Sequence, residues 1–181
     1  MWLFIRHLFQ LILAPSKGWE DISAAAASYV DIQKNGYFPL IVLTALFEFF
    51  RLVYSPTMPF IEALANAVAI GGGLFVSVFA ARLFLDIVLT KFINQDMNIL
   101  KINKLAIYLL GVDCLYRILS DLIPAALTLL SFLPLVSVII IFKSAPFLSV
   151  PDDRIINYLA LVFIGVIIIP LAICGLLLLI L

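Results

Sequence analysis

Seven ionisable residues interrupt stretches that are otherwise apolar, and their spacing pairs most of them. Glu48 and Arg51 stand three apart, Arg82 and Asp86 four, Asp113 and Arg117 four, and Asp121 follows four residues later. On a helix, side chains three or four apart share a face, so each acid can reach its base. In hydrocarbon an ionisable group costs about 2.5–3.5 kcal/mol on insertion scales, so such groups turn toward protein or water, and function is the first reading. The chemistry open to them is a water-filled, outward-facing cleft that binds a cation or a headgroup, or that relays protons. Glu62 falls in the same outer half, and Asp113 is the deepest of the set. The competing reading is that charges near helix ends snorkel to the interface on their apolar stems and latch helices together.

Enzyme chemistry finds little support. The single histidine, His7, cannot assemble a metal site of the usual His and Cys ligands, and no metal or cofactor is expected. Cys114 and Cys174 lie in apolar segments, where a small buried thiol is the ordinary outcome. No serine or cysteine has a base at motif spacing, which leaves catalysis by carboxylates alone as the residual enzymatic reading.

The elements that must position these charges follow from composition. Hydrophobic residues make up 65% of the 181, and charged residues only 12%. Soluble domains carry about 45–50% apolar and about 25% charged residues, so this is an integral membrane protein. A formal net charge of zero gives no basic surface for nucleic acid. A crossing needs about 20 mainly apolar residues, and five runs fit, near 37–54, 61–90, 103–121, 123–142 and 156–181. The expected fold is an all-α, five-helix transmembrane bundle over 36–181, preceded by an interfacial segment over 1–35. Lys and Arg gather on the cytoplasmic side of membrane proteins. An inside N-terminus gives that side Arg6, Lys17, Lys34, Lys91, Lys101, Lys104, Lys143 and Arg154, and leaves the other Arg51 and Arg117. The C-terminus then lies on the opposite side.

The second run carries Ala65, Ala69, Gly73, Ser77 and Ala81, a ridge of small residues at every fourth position. Such a ridge lets another helix approach closely, which is a main source of association in lipid, and it predicts that this run is central. The triplet Gly71-Gly72-Gly73 fits the same packing, with a helix break at a ligand site as the alternative. The N-terminus is a poor secretory signal, because its apolar residues start at Trp2 and are broken by Arg6, His7 and Gln10. It is expected to stay in the protein as an amphipathic helix at the inner interface, or docked on the bundle, with Arg6, His7 and Gln10 on its polar face. Pro15 ends that helix, and a second one follows. Trp2, Arg6, Lys17 and Trp19 are the expected headgroup-level anchors.

The succession of LILAPSKGWEDI, carrying Pro15 and Trp19, and LAIYLLGVDCLYRILSDLIPAALTLLSFLPLVSVIIIFKSA, carrying the Leu122-Ile123-Pro124 corner and Lys143, resembles the bacterial branch of the Ypt-interacting (Yip) membrane protein family. The resemblance covers nearly the whole chain. It implies five helices, a cytoplasmic N-terminus, an opposite C-terminus and a bacterial inner-membrane location. Eukaryotic members are associated with Rab-type GTPases through a longer cytosolic N-terminal region. Only about 35 residues precede the first run here, so that partner is not carried over. The leading expectation is a non-enzymatic protein that organises membrane or binds a partner in the bilayer, as a membrane-protein partner or a homo-oligomer. The alternative is a small transporter, permease or lipid-moving protein that uses the charged cleft.

Overall fold

A computed structural model describes residues 1–54, 57–122 and 133–180, and those residues are helical with no strand among them. Seven helical runs follow in chain order: α1 (Trp2–Leu13), α2 (Pro15–Ala24), α3 (Tyr29–Val53), α4 (Phe60–Phe92), α5 (Ile99–Leu122), α6 (Leu133–Ser144) and α7 (Asp152–Ile180). Three of them, α3, α4 and α7, are long and apolar enough to cross a membrane. At 1.5 Å per residue, the 33 residues of α4 reach about 50 Å, well beyond a hydrocarbon core of about 30 Å. The first half of the fourth expected crossing, 123–132, lies outside the described residues, and with it all of the expected corner at 122–124 but Leu122.

Local chemistry sets the helix ends. Ala14 alone separates α1 from α2, whose first residue, Pro15, comes with a backbone angle already suited to a helix start. Ser28 caps α3, its hydroxyl accepting the Asp31 N–H at 3.1 Å and donating to the Asp31 carboxylate at 2.7 Å. Asn98 Oδ1 accepts the Leu100 N–H at 2.9 Å to start α5. Arg154 Nη1 donates to the carbonyls of Phe92 and Ile93, at 3.1 and 2.8 Å, closing the end of α4.

Two proline-bearing helices share a local device. Proline removes one helical N–H and crowds the carbonyl four residues back. In α3 the turn Gln33–Tyr37 widens to π geometry just before Pro39, and in α7 Ile164–Ile168 does the same just before Pro170. Both helices continue past the proline. Each wide turn holds a glycine at a close crossing. A Cβ on Gly36 would lie 2.6 Å from the Phe4 ring, and one on Gly165 2.8 Å from Leu85 Cδ2.

One end of the bundle collects residues far apart in the chain. Lys101 Nζ donates to the Phe147 carbonyl at 3.0 Å, Lys104 Nζ to that of Ala25 at 3.3 Å, and Trp19 Nε1 to that of Ile140 at 3.0 Å. The α1–α2 pair, the 93–98 connector and the 145–151 connector therefore meet there. Along α4, Leu85 faces Gly165 and Gly73 faces Cys174, so α7 runs antiparallel to it.

The ridge on α4 is used inside the chain. Ala69, Gly73, Ser77 and Ala81 are buried and Ala65 is half-buried, and α7 lies on this face with Cys174 Sγ only 2.5 Å from where a Gly73 Cβ would sit. The helix stays continuous through Gly71, Gly72 and Gly73. α4 packs on α3, α5 and α7, as a central helix must, but it shares the core with α5. Its other face exposes Phe75, Val76, Phe79, Leu83 and Ile87, whereas α5 is buried without a break from Leu105 to Val112, against α1, α3, α4, α6 and α7. A helix apolar on one side can face lipid, but one that carries charges is best enclosed.

The N-terminal helices dock on the bundle. Phe4, Leu8 and Leu11 are buried, and Phe4 fits over Gly36 and Gly111. The expected polar face of α1 divides. Arg6 is exposed, but His7 is buried and bonds the Tyr108 hydroxyl at 2.9 Å, while Gln10 donates to Asp21 at 2.6 Å. Trp19, expected as a headgroup anchor, is 2% exposed and stacks on Phe147 at 5.3 Å. Its indole N–H finds a carbonyl inside the protein, so the amphipathic ring needs no water. Trp2 and Lys17 face outward.

Candidate polar cleft

At the end of the bundle opposite the connectors, α3 and α5 bring their charges to one place. Glu48 lies where α3 tightens to a 3-10 turn, Glu48–Phe50, and its buried carboxylate accepts from Arg51 Nη1 at 3.2 Å. On α5, Arg117 Nε meets Asp113 Oδ2 at 2.9 Å. Both couples are local in sequence and helical in spacing. Asp121 comes from α5 yet lines the same cavity as Glu48 of α3. Asp121 Oδ2 is buried with no hydrogen-bond partner among the described residues.

These five side chains line a cavity of about 500 Å³, together with Tyr116, Ser120 and Ser137. Its other walls are apolar and come from α4, α6 and α7, with Ile70, Ile141, Val166 and Leu171 among them. Access to the charges is uneven. The Arg51 side chain is 49% exposed and that of Asp113 30%, against 4% for Glu48. Three carboxyls against two guanidiniums leave one negative charge in excess when all are ionised. Such a site offers guanidinium N–H forks to a phosphate or carboxylate and carboxylate oxygens to an ammonium or a proton.

The third expected couple does not form. Arg82 turns from Asp86 to two neutral amides, donating from Nε to Asn103 Oδ1 and from Nη1 to Gln33 Oε1, each at 2.9 Å. Its guanidinium also lies 4.7 Å from the centre of the Tyr29 ring. A long side chain on α4 reaches the partners that α3 and α5 present, and two directed bonds plus a ring face outweigh one contact along its own helix. Asp86 Oδ1 is left buried without a described partner.

Glu62, grouped with the outer charges, is exposed in the first turn of α4, away from the cavity lining. Cys114 and Cys174 are free, buried thiols. No group of three or more His, Cys, Asp or Glu that could hold a metal occurs among the described residues.

Fold and site together define a helical protein of membrane type, with a charge-lined cleft at one end of its helices. No family model, no curated protein and no solved structure matches the chain.

Proposed function

We propose that the chain is a non-enzymatic, five-crossing integral membrane protein of the Yip type. Its cleft admits the polar end of an amphipathic molecule, in the first place an aminophospholipid, from the outer leaflet. In this reading α3 to α7 all cross, the α1–α2 pair docks at the cytoplasmic face of a bacterial inner membrane, and the C-terminus lies opposite. The observation that carries it is the cavity itself, where acids and bases from two helices meet apolar walls from three others. An ethanolamine ammonium suits the Glu48 and Asp121 carboxyls, and the adjoining phosphate suits Arg51 and Arg117. Exposed Leu171 and Leu178 at the rim give acyl chains a path from the bilayer. This is the lipid-moving alternative from the sequence. The organiser reading loses part of its support, because the α4 ridge is already occupied by α7 and α1 is docked on the bundle.

The test is lipid scrambling in proteoliposomes containing a fluorescent phosphatidylethanolamine, with Asp113→Leu/Arg117→Met as the decisive variant. Replacing a shielded ion pair by apolar residues of similar size is often neutral or stabilising, by about 1–4 kcal/mol. Such a variant is expected to fold at least as well as the parent and to lose at least about 90% of the scrambling, the factor of ten that about 1.4 kcal/mol of lost headgroup binding gives. A parent protein that scrambles nothing, or a folded variant with full activity, refutes the proposal.

A further inference from the structure

A second pocket, of about 350 Å³, lies at the connector end of the bundle, remote from the cleft. Ser23, Ala27, Tyr29, Lys101, Lys104 and Phe147 form most of its wall. Both ammonium groups reach into protein, yet neither meets an acid. Lys101 is held by the Phe147 carbonyl at 3.0 Å and lies 5.3 Å from that ring, and Lys104 is held by the Ala25 carbonyl at 3.3 Å. The ion pairs among the described residues are Glu48–Arg51, Asp113–Arg117 and Asp153–Arg154, all elsewhere. Asp31, two residues beyond Tyr29, is engaged by the Ser28 hydroxyl. Arg82, against the Tyr29 ring, adds a third cation whose hydrogen bonds go to neutral amides.

An ammonium has three donors, and one carbonyl satisfies one of them. Two lysines with spare donors and no counter-ion, in a half-enclosed pocket, select an anion with several acceptor oxygens. Beside the lysines, Ile99 and Leu100 are 50% and 56% exposed, offering apolar surface to a chain attached to that anion. From this geometry we propose that the pocket binds the phosphate of an anionic phospholipid, with Lys101 and Lys104 as the binding residues. The five-crossing topology proposed above places this lipid in the cytoplasmic leaflet, where anionic headgroups attract basic side chains.

Trp19 stacks on Phe147, a wall of this pocket, and so provides a reporter in the full chain. In a Trp2→Phe background and an uncharged detergent, Trp19 fluorescence is titrated with short-chain phosphatidylglycerol, short-chain phosphatidylcholine and inorganic phosphate. Phosphatidylglycerol is expected to bind about tenfold more tightly than phosphatidylcholine, with a preference that shrinks in high salt. Lys101→Gln/Lys104→Gln is expected to erase that preference and Lys101→Arg/Lys104→Arg to keep it. Cleft variants leave it unchanged, which separates this site from the scrambling reading. Equal affinity for the two lipids, or an unchanged preference in the Gln variant, overturns the proposal. Displacement of the lipid by equimolar inorganic phosphate also overturns it, in favour of a site for a soluble anion. If the Gln pair does not fold, Lys104→Gln alone decides by the same criterion.

Discussion

Gly73→Ala isolates a close contact between α4 and α7. A Cβ at this position would sit 2.5 Å from Cys174 Sγ, 3.2 Å from its Cα and 3.4 Å from its Cβ. The sulfur cannot retreat freely, because Cys174 is buried on α7. Adding a methyl to a filled contact costs about 1–3 kcal/mol, while exchanging Gly for Ala inside a helix returns up to about 1 kcal/mol. The net expectation is a loss of about 0.5–2 kcal/mol. Gly72→Ala supplies the control, since nothing lies within 4 Å of its Cβ position and only the helix term remains. Cys174→Ala in the Gly73→Ala background removes the sulfur and should recover about 1 kcal/mol or more, an interaction energy typical of residues in contact. Cys114, free and fully buried on α5, gives one readout for every variant, namely its rate of thiol labelling along a denaturant series. If Gly73→Ala is as stable as Gly72→Ala, or if the double variant is no better than the single, α4 and α7 do not meet through this glycine.

Two further outcomes follow from the polar contacts. Burial is the main influence lowering the His7 pKa, with Arg6 adding to it and Asp21 opposing it, so the folded chain prefers the neutral ring. Below the ordinary value of about 6.5 the unfolded segment takes up protons more readily than the docked one; docking of α1 should be fully present above that pH and weaken on acidification, seen as faster amide exchange over residues 2–13, and His7→Gln should flatten the profile. Arg82→Lys should lose at least one of the two amide contacts to Asn103 and Gln33, because a single ammonium cannot reproduce a planar fork; a loss of about 1–2 kcal/mol is expected, and unchanged stability would show that the amides do not hold this cation.

Helical spacing carried some of this architecture and not the rest. Asp113 with Arg117, and Glu48 with Arg51, meet along their own helices, so distance in sequence translates directly into distance in space. Arg82 and Asp86 have the same spacing and part company, because spacing states which groups can meet and not which competitors stand nearby. Asp121 and Glu48 line one cavity from two helices, a meeting that leaves no mark in either local pattern. Gly36 and Gly111 are isolated glycines in the sequence, and only the docked Phe4 shows why each must lack a side chain. Pro39 and Pro170 warn of irregular helices, but whether a helix bends, breaks or widens is settled by its neighbours. Trp19 reads from its type as a headgroup anchor, and only the Phe147 ring and the Ile140 carbonyl that receive it show that it belongs to the core.

The placement of α5 ties these features together. Asp113, Arg117 and Asp121 make it the helix that hydrocarbon tolerates least, and it is also the helix enclosed by five others. Wrapping it in α3, α4, α6 and α7 turns their apolar faces outward and leaves its charges only partly accessible. That solution cannot close completely, since ionised groups need polar partners beyond each other. The cleft is where the enclosure opens, on the side where Asp113 and Arg117 remain partly accessible and Glu48 and Asp121 complete the ring. At the other end, Lys101 and Lys104 emerge from the same helix between the connectors, with carbonyls rather than carboxylates beside them. One helix thus carries a mixed-charge site at one end and a purely cationic one at the other.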